Sequence, residues 1–129
     1  MAILITRTES QLSLTNSFKA MDNLAGASVS SSFTVASGMG AIKQVAIAVT
    51  ADGAEETVPV VKISGNAMRD GDAVFATGGQ MTMGTSTGSN MNFVQYDTDL
   101  AVTSGNSCEF SIATTTNAAI DVVVTAQFN

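Results

Sequence analysis

The sequence predicts an all-β fold, one antiparallel β-sandwich, on three observations. Short β-branched or alternating segments recur along the whole chain, and clusters of Gly, Asn, Asp and Ser separate them. Only one short stretch offers helical spacing at all.

The elements follow in order. AILITR (2–7) is short and β-branched, a first strand. In TESQLSLTNSFKAMDNLAG (8–26) the apolar positions are Leu12, Leu14, Phe18, Met21 and Leu24. Residues 17–24 suit two helical turns capped by Asn16 or Ser17 and stopped by Gly26, with 11–14 as an alternative short strand. The N-terminal segment is therefore expected to be extended or partly helical. SVSSSFTVAS (28–37) alternates Val29, Phe33 and Val35 with small polar residues, the period of a half-buried strand. AIKQVAIAVTA (41–51) puts Val45, Ile47 and Val49 on one face and Ile42 on the other, which predicts a bulge or a register change near Lys43 and Gln44. Asp52 and Gly53 form a turn dipeptide, and ETVPVVKISG (56–65) follows, with Pro59 confining it to an edge or a strand end.

Residues 66–72 form a loop. AVFAT (73–77) and QMTM (80–83) flank Gly78 and Gly79 as the arms of a tight hairpin do, and TSTGSN (85–90) is a polar loop. MNFVQYDT (91–98) and LAVTS (100–104) are expected as separate short strands, then SCEFSIAT (107–114) and AIDVVVTAQF (119–128). Eight to ten short strands at this spacing are the signature of a sandwich, jelly roll or barrel. With no internal repeat and no linker, one domain is expected: 1–26 as an N-terminal arm and connecting segment, 27–129 as the sandwich.

Composition restricts function. Charged residues are 12% of the 129, against roughly 25% in ordinary domains, while 45% are hydrophobic. Ser, Thr, Asn and Gly must keep the surface wet. Such a surface suits permanent contact with neighbours, because few charges are desolvated on assembly; the alternative is a Thr-rich monomer. Net charge is −6, and Arg7, Lys19, Lys43, Lys62 and Arg69 are scattered, which argues against nucleic acid and anionic membranes as partners. The N-terminus does not read as a signal peptide, and no apolar run approaches the roughly 18 residues of a spanning helix.

Catalytic chemistry finds few footholds. Without histidine, neither a Ser–His–Asp nor a Cys–His arrangement can be assembled, nor a Cys/His zinc site. Cys108, the only cysteine, sits in an alternating segment as a small buried strand residue would. A carboxylate pair drawn from Glu55, Glu56, Asp70, Asp72, Asp97 and Asp99 is the remaining enzymatic option, yet all but Glu56 lie in apparent turns. No enzyme and no cofactor are expected. RDGD (69–72) and YDTD (96–99) space two aspartates as a calcium loop does, making Asp70, Asp72, Asp97 and Asp99 candidate ligands beside the plainer turn reading. Asp121, inside IDVVV, must face out, pair with a cation such as Lys43 or Lys62, or meet a subunit. Of the seven methionines, Met68, Met81, Met83 and Met91 bracket the Gly-rich middle, either completing the core or fitting a partner; Met81, Met83 and Met91 are the contact candidates.

The segments TDLAVTSGNSCEFSI (98–112) and NAAIDVVVTAQFN (117–129), with the 42–49 strand and its Asp-Gly turn, resemble the closing strands of small jelly-roll and β-sandwich phage capsid or capsid decoration (cement) proteins. The resemblance covers about residues 27–129 and implies a jelly-roll-like sandwich. It also implies a homo-oligomer, often a trimer, held on a major capsid protein in a virion assembled in the host cytoplasm and released by lysis. Its arm, with Ile3, Leu4, Ile5, Leu12, Leu14 and Phe18, would make neighbour contacts. The chain is short for a major capsid protein, which favours a decoration, cement or minor role. The rival is a non-catalytic binding module or fibre subunit recognising a glycan or cell surface. That reading wants exposed aromatics and a calcium site, whereas this chain has no Trp and one Tyr.

Overall fold

A computed structural model describes residues 2–12, 17–23, 32–52, 56–57, 59–76, 81–82, 89–114 and 120–129, and every regular element among them is a strand. In chain order they are β1 (Ile3–Leu12), β2 (Lys19–Ala20), β3 (Asp22–Asn23), β4 (Phe33–Thr34), β5 (Ala41–Asp52), β6 (Glu56–Thr57), β7 (Val60–Ser64), β8 (Ala73–Ala76), β9 (Met81–Thr82), β10 (Ser89–Ala101), β11 (Ser107–Ala113) and β12 (Ile120–Phe128).

The pairing is nested. β1 pairs with β12, β2 and β4 with β11, β5 with β10, and β7 with β8, all antiparallel. The chain is thus a long folded-back ribbon whose successive strand pairs fall alternately in two sheets. One sheet runs β10-β5-β12-β1-β3; the other runs β2-β11-β7-β8, with β4 also on β11. Rolling a ribbon up in this way is what makes a jelly roll. The chain steps between the sheets at Met21, which is buried and donates its N–H to the Phe110 carbonyl at 2.9 Å.

Alternation fills the space between the layers. Ile120, Val122, Val124, Ala126 and Phe128 of β12 point inward beside Val45, Ile47 and Val49 of β5. They meet Val61 and Ile63 of β7, Phe75 of β8, and Cys108, Phe110 and Ile112 of β11. Each Val, Ile or Phe among them contributes about 1.5–3 kcal/mol by leaving water. Phe33 binds the layers together, edge-on to Phe110 at 5.7 Å and to Phe128 at 5.8 Å. Gly65 is required where β7 ends: φ is +119°, and a Cβ there would lie 2.5 Å from the Ser107 carbonyl oxygen.

The bulge expected near Lys43 is present and explains how Ile42 joins its odd-numbered neighbours inside. Gln127 stands opposite Gln44 but Phe128 opposite Ile42, so Lys43 is skipped. On the other flank, Asp97 faces Gln44 and Leu100 faces Ile42, and the Thr98 hydroxyl donates to the Ile42 carbonyl at 2.7 Å. Pro59 immediately precedes β7, the strand end that its missing N–H demands.

Some local expectations hold in one of their options and others are corrected. The N-terminal segment takes the extended option: Lys19–Ala20 and Asp22–Asn23 are strands, one in each sheet, where a helix was the other choice. β1 is an interior strand, paired with β12 along its length and with β3 at Arg7 and Thr8. β8 and β9 do not form a hairpin together, since β8 pairs with β7 and β9 with β6. The two short strands expected over 91–104 are one 13-residue strand that absorbs its Asp-Thr-Asp step as a bulge. That strand starts at Ser89, inside the expected 85–90 loop. No helix among the described residues is long and apolar enough to cross a membrane.

Candidate assembly surface

The outer face of the five-stranded sheet is built by the strand register. Phe93 of β10, Ala48 of β5, Val123 of β12 and Thr8 of β1 form one row across it. The next row is Gln95, Ala46, Thr125 and Thr6, with the Thr6 and Thr125 hydroxyls 3.2 Å apart; then come Asp97, Gln44, Gln127 and Leu4. Leu4 is 64% exposed, Phe93 61% and Val123 39%. Charge stands around these rows, with the exposed Asp121 at one end, Asp97 at the other and the half-buried Asp22 of β3 beside Thr8 at the far edge. Near the bulge the Lys43 ammonium donates to Asp99 at 2.6 Å. A broad neutral face with large apolar side chains in water can be covered at little desolvation cost.

Two other sites hold polar chemistry. Arg7 and Glu9 continue the Ile3–Ile5 series on the inner face of β1 and are buried. The Arg7 guanidinium lies 4.8 Å from the centre of the Phe33 ring and donates to the Thr6 carbonyl. Burial pulls it below its ordinary range, with nearby Cys108 opposing. Glu9 accepts a 2.8 Å hydrogen bond from Lys19 of the opposite sheet, and that bond raises the Lys19 pKa. The second Glu9 oxygen has no hydrogen-bond partner among the described residues. Cys108 is buried, as its alternation predicts, and desolvation pushes its thiol up to about 11. At that value it is a packing group, not a nucleophile.

The expected site residues are dispersed. Ile3 and Ile5 face inward and are half-buried, whereas Leu4 faces out. Phe18 is exposed beneath the Lys62 ammonium, 4.4 Å from its ring centre. Leu12, Met81 and Met91 lie in β1, β9 and β10 by backbone, their side chains outside the described residues; Leu14 and Met83 fall outside altogether. Met68 belongs to the core. Asp70 and Asp72 are exposed around Gly71, whose φ of +91° marks a turn. Asp97 and Asp99, expected in a turn, belong to β10. Among the described residues no three His, Cys, Asp or Glu side chains converge to hold a metal ion. Asp121 is exposed and faces out. The sequence reading missed Phe93, Val123 and Val74 as exposed apolar positions, and Arg7 and Glu9 as buried ones. Period-two alternation from Ile3 to Glu9 was the available signal for the last two.

No family model and no curated protein matches this chain. Among solved structures it is similar to a chain from infectious bursal disease virus, Gt strain, at 10% identity and TM-score 0.51, covering 100% of this chain and 37% of that one. It is also similar to the globular domain of the zebrafish complement 1qA protein, at 11% identity and TM-score 0.48, covering 98% of this chain and 94% of that one. A third likeness is to a carbohydrate-binding module from glycoside hydrolase family 9 (Cel9A) of Ruminococcus flavefaciens FD-1, at 12% identity and TM-score 0.46, covering 97% and 98%. At such identities the likeness is one of fold. This chain spans little more than a third of the viral chain, and what the two share is the β-sandwich.

Proposed function

We propose that this chain is a structural protein of a virion, a decoration (cement) or minor capsid subunit that stabilises a shell through subunit–subunit contacts. The observation that carries the reading is the outer face of the five-stranded sheet, neutral in its middle rows across β10, β5, β12 and β1 and bearing Phe93, Val123 and Leu4 in water. Large exposed apolar side chains on a charge-poor sheet mark a surface meant to be covered. The partners are copies of this chain and a major capsid protein.

Recognition of a glycan or cell surface is the competing role. A sugar platform needs neighbouring exposed aromatics, but Phe93 lies on β10 of one sheet while Phe18 sits under Lys62 of the other. Native mass spectrometry and mass photometry of the purified chain test the proposal. A symmetric oligomer or an extended lattice at micromolar concentration is expected. A strict monomer that is retained on a glycan array would overturn it.

A further inference from the structure

β10 is the longest strand and an edge of its sheet, and among the described residues no strand pairs with the side turned away from β5. Soluble proteins blunt such edges with Lys, Pro, bulges or cover, because a row of free N–H and C=O groups templates another strand. β10 is blunted at one end only. From Asp97 onward it carries two aspartates and the bulge, whereas SNMNFVQY (89–96) has no charge, no proline, no glycine and an unbroken register against β5. The protected and unprotected halves of one strand therefore differ in kind.

We infer that the unprotected edge of β10 pairs antiparallel with β10 of a second copy about a twofold axis at Phe93, joining two five-stranded sheets into one. The inference rests on the self-assembly reading above and names its surface.

Charge selects the antiparallel arrangement. With Phe93 opposite Phe93, Asp97 of each copy faces Ser89 of the other, and the two Asp97 carboxylates stand eight residue steps apart, about 26 Å at roughly 3.3 Å per step. That distance is well beyond the Debye length of about 8 Å at physiological salt, so they do not repel. A parallel pairing in register would set Asp97 beside Asp97, with like charges directly opposite. Asp99 is matched within its own chain by Lys43. The apolar row Val123–Ala48–Phe93 then runs unbroken across the axis into its copy, covering the exposed Phe93 ring with another. Competing edges among the described residues are short: β1 before Arg7, beyond which β3 covers it, and the four-residue β8 at the rim of the other sheet.

The test combines stoichiometry with cross-linking. Phe93→Cys, oxidised with copper phenanthroline, is expected to give a covalent dimer, while Val123→Cys, two strands from the axis, stays uncrosslinked. Cys108 is buried and does not compete. Phe93→Lys/Gln95→Lys, with far-UV circular dichroism confirming the fold, is expected to reduce the oligomer by at least a factor of two in mass photometry. A wild-type oligomer that survives this double variant, with no Phe93→Cys dimer, overturns β10 pairing and leaves self-assembly standing; dissociation by Leu4→Lys alone would move the contact to β1. A wild-type chain monomeric at all concentrations, with Phe93→Cys uncrosslinked, overturns both.

Discussion

The two long sides of the sandwich are closed by opposite chemistry. Where β10 and β8 run alongside each other, the Tyr96 and Phe75 rings meet at 5.2 Å across the gap between the sheets. On the far side, where β1 faces β2 and β4, the gap is spanned by charge: Lys19 on Glu9, and Arg7 over Phe33. The ring contact needs nothing beyond close packing. The ionic side leaves a carboxylate oxygen without a hydrogen-bond partner in the described structure, so part of its Coulomb gain is offset by desolvation. Stability thus comes from the aromatic side and the core, while the ionic side chiefly fixes which edges face each other.

Removing the aromatic closure gives the largest expected effect. Phe75→Ala deletes a nearly buried ring and its partner surface on Tyr96, and should cost about 3–5 kcal/mol in urea or guanidinium unfolding. A cost below about 1 kcal/mol would show that the side collapses freely, and the asymmetry would fail.

Alkali is the next lever, and it acts on the ionic side. Cys108, opposite Phe33 in the β4 register, has its thiol raised to about 11 from an ordinary 9.0. A raised folded value favours the protonated fold, so that stability is complete below pH 9 and is lost as pH climbs to 11. Two units correspond to about 2–3 kcal/mol. Lys19 is raised too, through its Glu9 hydrogen bond, and its contribution fades in the same sense above its ordinary 10.5. Melting temperature against pH should therefore fall between pH 9 and 11, and Cys108→Ala should flatten the first part of that fall. An unchanged slope in the variant would assign the loss elsewhere.

Lys19→Met is expected to cost about 1–2 kcal/mol, less than a fully buried pair would, because half of the lysine side chain already meets water. Replacing both partners, Glu9→Leu with Lys19→Met, should recover most of that loss, since the stranded carboxylate goes with the lysine. A double-mutant cycle on chemical unfolding checks this. If the double variant were worse than the single, the ionic closure would be a net source of stability.

The asymmetry was only partly written in the sequence. Alternation identified which residues point inward: the β12 pattern, the Cys108–Phe110–Ile112 series and the skip at Lys43 all follow from period two. Partner choice did not follow, because alternation names a face and not a neighbour. Gly78 and Gly79 signalled a local hairpin, yet β9 found β6. Asp97 and Asp99 signalled a turn, yet a bulge accommodated them within β10. The short apolar spacing of 17–24 fitted a helix locally, but pairing with β11 and β1 extends its described part. The proposed assembly surface was legible as a scarcity of charge, and its proposed strand edge was not, because an edge exists only once the other pairings are known.

The smallest expected effect sharpens the distinction between charge that closes the sandwich and charge that decorates it. Lys43 and Asp99 make a 2.6 Å ion pair, shorter than the 2.8 Å pair of Lys19 and Glu9, yet their side chains are 45% and 78% exposed. Distance alone would rank the exposed pair first. Solvent reverses that order, because both ions keep most of their hydration and salt screens what attraction remains. Lys43→Ala should therefore change unfolding free energy by about 0.5 kcal/mol or less, and the difference should vanish in 1 M NaCl. The Lys19→Met difference should persist there, since the carboxylate it strands is shielded by protein instead of salt. Equal salt sensitivity in the two variants would mean that Glu9 is reached by water in solution, and the two sides would no longer differ in the way their burial implies.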